Sequence, residues 1–301
     1  MSGFEPVYVE SFKKGVIKER AETARHILQA CMLCPRECAV NRLSGETGIC
    51  KTAHNAVVSS YHPHFGEEAP LVGKNGSGTI FFTHCNLLCN FCQNYDISHL
   101  GYGREVTDEE LAGIMLSLQD EGCHNINFVT PTHIVPQILS AVEIAAGNGL
   151  SIPLIYNTSA YDNVETLKLL DGIIDIYMPD FKFWDSEAAR ITCQAPDYPQ
   201  KACLALKEMH RQVGDLAIDK SGIAKRGLLI RHLVMPENFA GTSEIMSFIA
   251  KEISPNSYVN IMPQYRPCGE ADKVKELSRY PSEKEIQEAL AAAANAGLGR
   301  L

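Results

Sequence analysis

The chain has 301 residues, 45% of them hydrophobic, with a formal net charge of -9 and 11 cysteines. That length suits one barrel-sized domain with a small appendage. No run approaches the roughly 18 apolar residues of a membrane span, and the acidic balance disfavours a broad nucleic-acid surface. The N-terminus, MSGFEPVYVESFKKG, lacks a signal-peptide core, so a cytoplasmic, reducing compartment is expected, with the cysteines serving metal or redox chemistry rather than disulfides.

The first cysteines in chain order are Cys31, Cys34, Cys38 and Cys50, in CMLCPRECAVNRLSGETGIC. Four soft thiolates at short spacing, with turns at Gly45 and Gly48, can enclose a zinc ion or hold a 4Fe-4S cluster. Spacing alone does not choose between inert zinc and a cluster. Residues 1–75 are expected to form a cysteine-rich extension and 76–301 the main domain. Between the cysteine sets, His62-Pro63-His64-Phe65-Gly66-Glu67-Glu68 gathers ligands and acids, although a solvated surface stretch reads the same way.

Six strand-then-helix units follow. The first pairs a strand at Thr79 to Phe82 with a helix from Asp108 to Glu121, opened by a Thr107/Glu110 capping box. The second pairs Asn125 to Val129 with a helix from Ile134 to Ala146 carrying Pro136 in its first turn. The third has Ile152 to Tyr156 and a helix from Asn163 to Leu170 capped by Asp162. The fourth has Ile173 to Met178 and a helix near Lys201 to Val213, and the fifth Leu228 to Val234 and Ser243 to Ile253. The sixth has Tyr258 to Met262 and a helix from Glu283 to Ala296 behind Ser282 and Glu285. Such alternation demands an α/β fold with a parallel sheet and right-handed crossovers. In parallel barrels the chemistry sits at the carboxyl ends of the strands.

Directly after the first strand comes CNLLCNFCQN, with Cys85, Cys89 and Cys92 on one loop and Phe91 before the last cysteine. Iron-sulfur clusters normally take four thiolates, so three leave one iron open to a further ligand. A zinc knuckle or a set of core thiols is the plain alternative, but zinc sites usually supply four ligands in pairs.

The C-x3-C-x2-C spacing and the strand before it resemble the radical S-adenosylmethionine (radical SAM) superfamily, and Gln93-Asn94-Tyr95 resembles pyruvate formate-lyase activating enzyme-like members. The resemblance implies an open six-stranded (β/α)6 partial TIM barrel, a 4Fe-4S cluster on the triad and SAM on its open iron. It also implies reductive cleavage of SAM to a 5'-deoxyadenosyl radical that abstracts hydrogen. The upstream CxxCPRxC segment is similar to that of an iron-sulfur homologue subgroup whose substrates are mostly unassigned, so a second 4Fe-4S cluster or zinc is expected there.

The strand ends then supply the implied SAM contacts. Thr130 and Thr132, in Val129-Thr130-Pro131-Thr132, stand where relatives carry Gly-Gly-Glu-Pro, without the glutamate that holds the SAM amino group. Asn157-Thr158-Ser159 stands at an Asp-Thr pair, with Asn157 and Ser159 as candidate contacts. Asp180 and Lys182 match an Asp-x-Lys segment; a solvated surface ion pair is their alternative. Arg231, in Arg231-His232-Leu233-Val234-Met235-Pro236, is a candidate carboxylate clamp. His232 reads equally as a core histidine, and Met262-Pro263-Gln264-Tyr265 lacks the histidine of activases. Phe91 and Asn94 complete the expected cofactor contacts, Trp184 is expected to line the pocket, and Cys268 reads as loop filler at its mouth. A flavodoxin or ferredoxin is the expected electron donor and a glycyl-radical enzyme the expected substrate. A small-molecule or RNA-modifying radical enzyme and a non-catalytic two-cluster electron carrier are the alternatives.

Overall fold

The computed structural model describes residues 4–301, so the first three residues of the expected extension lie outside the described residues. Helices α1 (Val7–Lys13) and α2 (Val16–Ile27) come first, then β1 (Ala56–His64), the single turn α3 (Ala69–Val72) and β2 (Ser77–Phe82). Next are α4 (Tyr95–Ser98), β3 (Arg104–Val106), α5 (Asp108–Asp120), β4 (Ile126–Val129), α6 (Val135–Gly147), β5 (Leu154–Thr158), α7 (Val164–Lys168) and β6 (Ile176–Pro179). The chain closes with α8 (Ser186–Cys193), α9 (Tyr198–Val213), β7 (Ala217–Ile218), β8 (Ala224–Leu233), α10 (Thr242–Phe248), β9 (Tyr258–Met262) and α11 (Glu283–Asn295).

Strands β2, β4, β5, β6, β8 and β9 pair in parallel in that order, which is the order of the six expected units. Their central members are buried on both faces, as parallel strands covered on both sides are. The sheet does not close, since β9 pairs with β8 and β2 continues into antiparallel β1 and β3. Strand β7 folds back antiparallel on β8 at the other side. The fold is an open α/β partial barrel.

Strand β1 escapes the periodicity because it carries Pro63 and two histidines. Only Ala56 to Val58 pair with β3, so Pro63, opposite Gly78, has no second neighbour on its outer side. An edge position of that kind tolerates a residue without an N–H. Helix α2 places Ile17, Ala21 and Ala24 on one buried stripe. Asp175, just before β6, accepts the backbone N–H of Val7 at 2.9 Å and that of Leu154 at 2.9 Å, pinning the start of α1 to the sheet.

Both predicted capping boxes form, at Thr107/Glu110 and Ser282/Glu285. Two expectations are corrected. Asp162 does not cap α7, which starts after Asn163 without a side-chain cap. It is instead fully buried and accepts from Thr132 Oγ1 at 2.8 Å, Tyr156 OH at 2.8 Å and Thr158 Oγ1 at 2.6 Å. A buried carboxyl needs those donors more than a helix end does. The helix expected through Ile253 stops at Phe248 and continues as a wider π turn over Ile249–Ile253.

Candidate active site

All six parallel strands release their chains at one end, and there the loops enclose a cleft of about 440 Å³. Cys85, Cys89 and Cys92 form one wall; Thr130, Asn157, Ser159, Asp180, Lys182 and Arg231 also line it. The triad loop turns tightly, with His84 and Leu88 at φ values of 64° and 56°. It is braced by Leu87 N–H donating to Cys85 Sγ at 3.3 Å and by Ser98 Oγ donating to Cys92 Sγ at 3.2 Å. Phe91 packs edge-on against Phe183 and tilted against Tyr265, with centroids 5.8 and 6.1 Å away, which locks the segment between the second and third cysteines.

Burial raises the Cys85 thiol to about 12 and also raises Cys92. At Cys89 the neighbouring Cys193 thiol is the larger influence, ahead of burial, and holds its proton well above the usual thiol range. Metal binding here must therefore release protons, as thiolate sites require. Among the described residues, no three His, Cys, Asp or Glu side chains converge on a point able to hold one metal ion. The three thiols line one cleft and act on one another's ionisation, and three soft thiolates on one loop suit an iron-sulfur cluster by donor type and number.

The cleft also holds a buried charge network, near enough that Lys182 and Asp180 act on Cys89. Arg231 donates from Nε to Asp180 Oδ1 at 2.7 Å, from Nη2 to Asn157 Oδ1 at 2.8 Å and from Nη1 to Glu67 Oε2 at 3.2 Å. Lys182 Nζ donates to Asp180 Oδ2 at 2.7 Å. Both side chains of that pair are only about 15% exposed, so it is not a solvated surface ion pair. Burial pushes the Asp180 carboxyl up, but Arg231 and Lys182 outweigh it and hold it below the usual carboxylate range. Glu67 goes the other way: burial raises it to about 7, Arg231 counters, and Glu68 beside it raises it further. Glu68 accepts from Asn260 Nδ2 at 2.9 Å, while its other oxygen is buried without a partner.

Thr130 lines the cleft with φ 63°, a strained conformation for a β-branched residue at a strand end. Asn94 and Ser159 also face the cleft. Thr132 does not. It is fully buried behind the cleft with its hydroxyl committed to Asp162 and Thr158, so Thr130 is the threonine available to a ligand. Trp184 is likewise outside, on a separate surface hollow with Cys203, Lys207 and Phe248, because the chain after Lys182 turns outward. Cys268 is absent from the lining, and His232 is a core histidine bridging Phe181 O at 2.8 Å and Thr242 Oγ1 at 2.9 Å.

Glu67, Glu68 and Cys193 were not singled out as site residues from the sequence. The Glu-Glu pair was visible after His64, but only the antiparallel pairing of β1 with β2 delivers Glu67 to the cleft, with Glu68 beside it. His64 also lines the cleft, while His62 stacks on Phe81 with centroids 5.7 Å apart. The N-terminal cysteines surround a second, separate cavity.

Residues 79–223 match the radical SAM superfamily. An uncharacterized protein of Methanocaldococcus jannaschii is 32% identical over 292 residues, covering 94% of this chain and 79% of that one. Among solved structures, a radical SAM methyltransferase from Sphaerobacter thermophilus aligns with a TM-score of 0.49 and 14% identity, over 73% of this chain and 64% of that one. HydG, a maturase of the FeFe-hydrogenase, aligns with a TM-score of 0.48 and 15% identity, over 96% of this chain and 64% of that one. The chain thus spans under two thirds of either structure. From the first parallel strand through the triad loop to just beyond β7, the chain carries a radical SAM superfamily domain.

Proposed function

We propose that the chain is a radical SAM enzyme of the glycyl-radical activase type, acting on a loop of a partner polypeptide. The family implies a 4Fe-4S cluster and SAM, and the three thiols lining the cleft fit the cluster by donor type and number. When bound, these groups supply one-electron cleavage of SAM to a 5'-deoxyadenosyl radical. Cys85, Cys89 and Cys92 would hold the cluster.

The chain's own residues supply binding and orientation. The amino-acid end of SAM carries one ammonium and one carboxylate, and the cleft presents both signs of charge a hydrogen bond apart at Lys182 and Asp180. The Thr130 hydroxyl and the carbonyls of its strained loop supply acceptors in the absence of the glutamate. Arg231 is held by the chain's own Asp180, Asn157 and Glu67, so it orients the acids rather than standing free as a clamp. The carrying observation is this juxtaposition of a three-thiol wall with a buried Asp-Lys-Arg network in one cleft.

A cleft of about 440 Å³ is at the small end of ligand-site volumes. One cofactor-sized molecule leaves little space beside it, which favours a substrate presented at the mouth as an extended polypeptide segment. A flavodoxin or ferredoxin would serve as electron donor. The test incubates the reduced, reconstituted protein and SAM with a candidate glycyl-radical enzyme and records electron paramagnetic resonance (EPR) spectra. A glycine-centred doublet on the partner supports the activase reading. Formation of 5'-deoxyadenosine driven by a small molecule, with no polypeptide radical, overturns it and leaves the coarser assignment standing.

A further inference from the structure

We infer that Glu67, carried inward by the turn after β1, is the acid that receives the amino group of SAM; this rests on the reading of the cleft as a SAM site. The network around it is short of one cation. Glu67, Glu68 and Asp180 pair with Arg231 or Lys182 at 2.7 to 3.8 Å, and none of the five side chains is more than 16% exposed. Three carboxylates against two cations leave one negative charge unbalanced when all are ionised, and a buried site has no water to absorb it.

Two observations register that shortfall. The side chain of Glu68 is only 7% exposed, yet its Oε2 has no hydrogen-bond partner. Glu67 is pushed up to about 7, by burial first and then by Glu68, with Arg231 opposing both. A proton on Glu67 therefore takes the place of the missing cation in the empty cleft.

The hydrogen bonds single out Glu67 among the three acids. Asp180 spends Oδ1 on Arg231 Nε and Oδ2 on Lys182 Nζ, each at 2.7 Å. Glu68 lies behind Glu67 and is not part of the cleft lining. Glu67 lines the cleft, and while its Oε2 meets Arg231 Nη1 at 3.2 Å, its Oε1 accepts only from the neutral amide of Asn127, at 3.1 Å. Asn127 lies on β4, the strand that leads into Thr130. The acid from β1 thus arrives beside the strand whose own end lacks one. Gly66 permits the turn that brings it there, since a Cβ at that position would lie 2.8 Å from His64 Nε2.

SAM in solution carries a sulfonium and an ammonium against one carboxylate, so it brings the single positive charge that the network lacks. The sulfonium has no hydrogen to donate. The amino group is therefore the part of the molecule that a carboxylate can hold by a charge-assisted hydrogen bond.

The test is calorimetry on the cluster-loaded, unreduced full chain, in which SAM binds without being cleaved. Wild type and Glu67→Gln are each titrated with SAM and with the analogue that has hydrogen in place of the amino group. Glutamine keeps the shape and removes the surplus charge, so the variant should fold, as circular dichroism checks. The inference predicts that Glu67→Gln weakens SAM by about tenfold or more and the analogue by less than about twofold. Ionised Glu67 is the better acceptor, so the ratio of wild-type to variant affinity for SAM should widen from about pH 6 to about pH 8. Arg231 from β8, Asp180 after β6, Glu68 and, on the same cleft, His64 are the charged or titratable groups around Glu67; they are common to both proteins, and the titration of SAM itself cancels in the ratio. If the analogue binds too weakly to titrate, the pH series decides alone. Equal SAM affinity in the two proteins, equal losses for SAM and the analogue, or a ratio that stays flat with pH overturns the inference, while SAM binding by wild type keeps the cofactor reading. A loaded wild type that does not bind SAM overturns both.

Discussion

Arg231 Nε donates to Asp180 Oδ1 at 2.7 Å across the parallel pair formed by β6 and β8, deep in the cleft that the cysteine loop walls. Asp180 also holds Lys182, so one carboxylate balances two buried cations. An asparagine in its place removes the charge and keeps the shape. Asp180→Asn should lower stability by about 3 kcal/mol, the usual cost of stripping one partner from a buried pair, and weaken SAM binding. Urea unfolding of the purified protein measures the first effect and calorimetry with SAM the second. A loss within about 0.5 kcal/mol, the range of an exposed pair, would show that the cations are solvated.

Glu67 gives the network a pH dependence. Its folded pKa of about 7 lies above its ordinary value, so the native state holds more protons than the unfolded state between those two values. Its contribution to stability is complete at acid pH and is lost as pH rises towards 7. Wild type relative to Glu67→Gln should therefore lose on the order of 2 kcal/mol between about pH 5 and pH 8. Parallel denaturation series of the two proteins measure this, and a pH-independent difference would place Glu67 in water.

Arg36 donates to four carbonyls, those of Asn86, Leu87, Cys193 and Gln194, and so joins the N-terminal cysteine loop, the triad loop and the end of α8. Arg36→Ala should cost about 2 kcal/mol or more. It should also speed iron loss from the triad during anaerobic dialysis. Arg36→Lys should not rescue either property, because an ammonium cannot span the fork. Full rescue by lysine would reduce Arg36 to a simple surface charge.

Thr130 holds a left-handed backbone that glycine adopts freely. Thr130→Gly should raise the unfolding free energy by about 1 kcal/mol while weakening SAM binding, since the hydroxyl is lost from the cleft. Thermal melting and equilibrium binding test the two halves separately. Unchanged SAM affinity would remove Thr130 from the cofactor contacts.

The parallel core was legible because each of its strands is a short apolar run followed by a helix with recognisable start signals, such as Thr107 and Ser282. Site positions could then be read from the rule that loops after parallel strands carry the chemistry. What escaped was non-local. Asp162 resembles a helix cap and becomes a buried acceptor because Thr132, Tyr156 and Thr158 surround it only in the folded chain. Glu67 looked solvated because the pairing of β1 with β2, which carries it inward, has no signal in a strand holding Pro63. Cys193 sits beside Cys89 although more than a hundred residues separate them, and no local spacing announces that contact.

The most direct measurement is chromatographic assay of 5'-deoxyadenosine after dithionite reduction of the anaerobically reconstituted protein with SAM, in wild type and Cys89→Ala. The account predicts 5'-deoxyadenosine from wild type and none above background from the variant. A fully iron-loaded, reduced wild type that neither binds nor cleaves SAM would contradict it, and would leave a two-cluster electron carrier as the reading of the same cysteines.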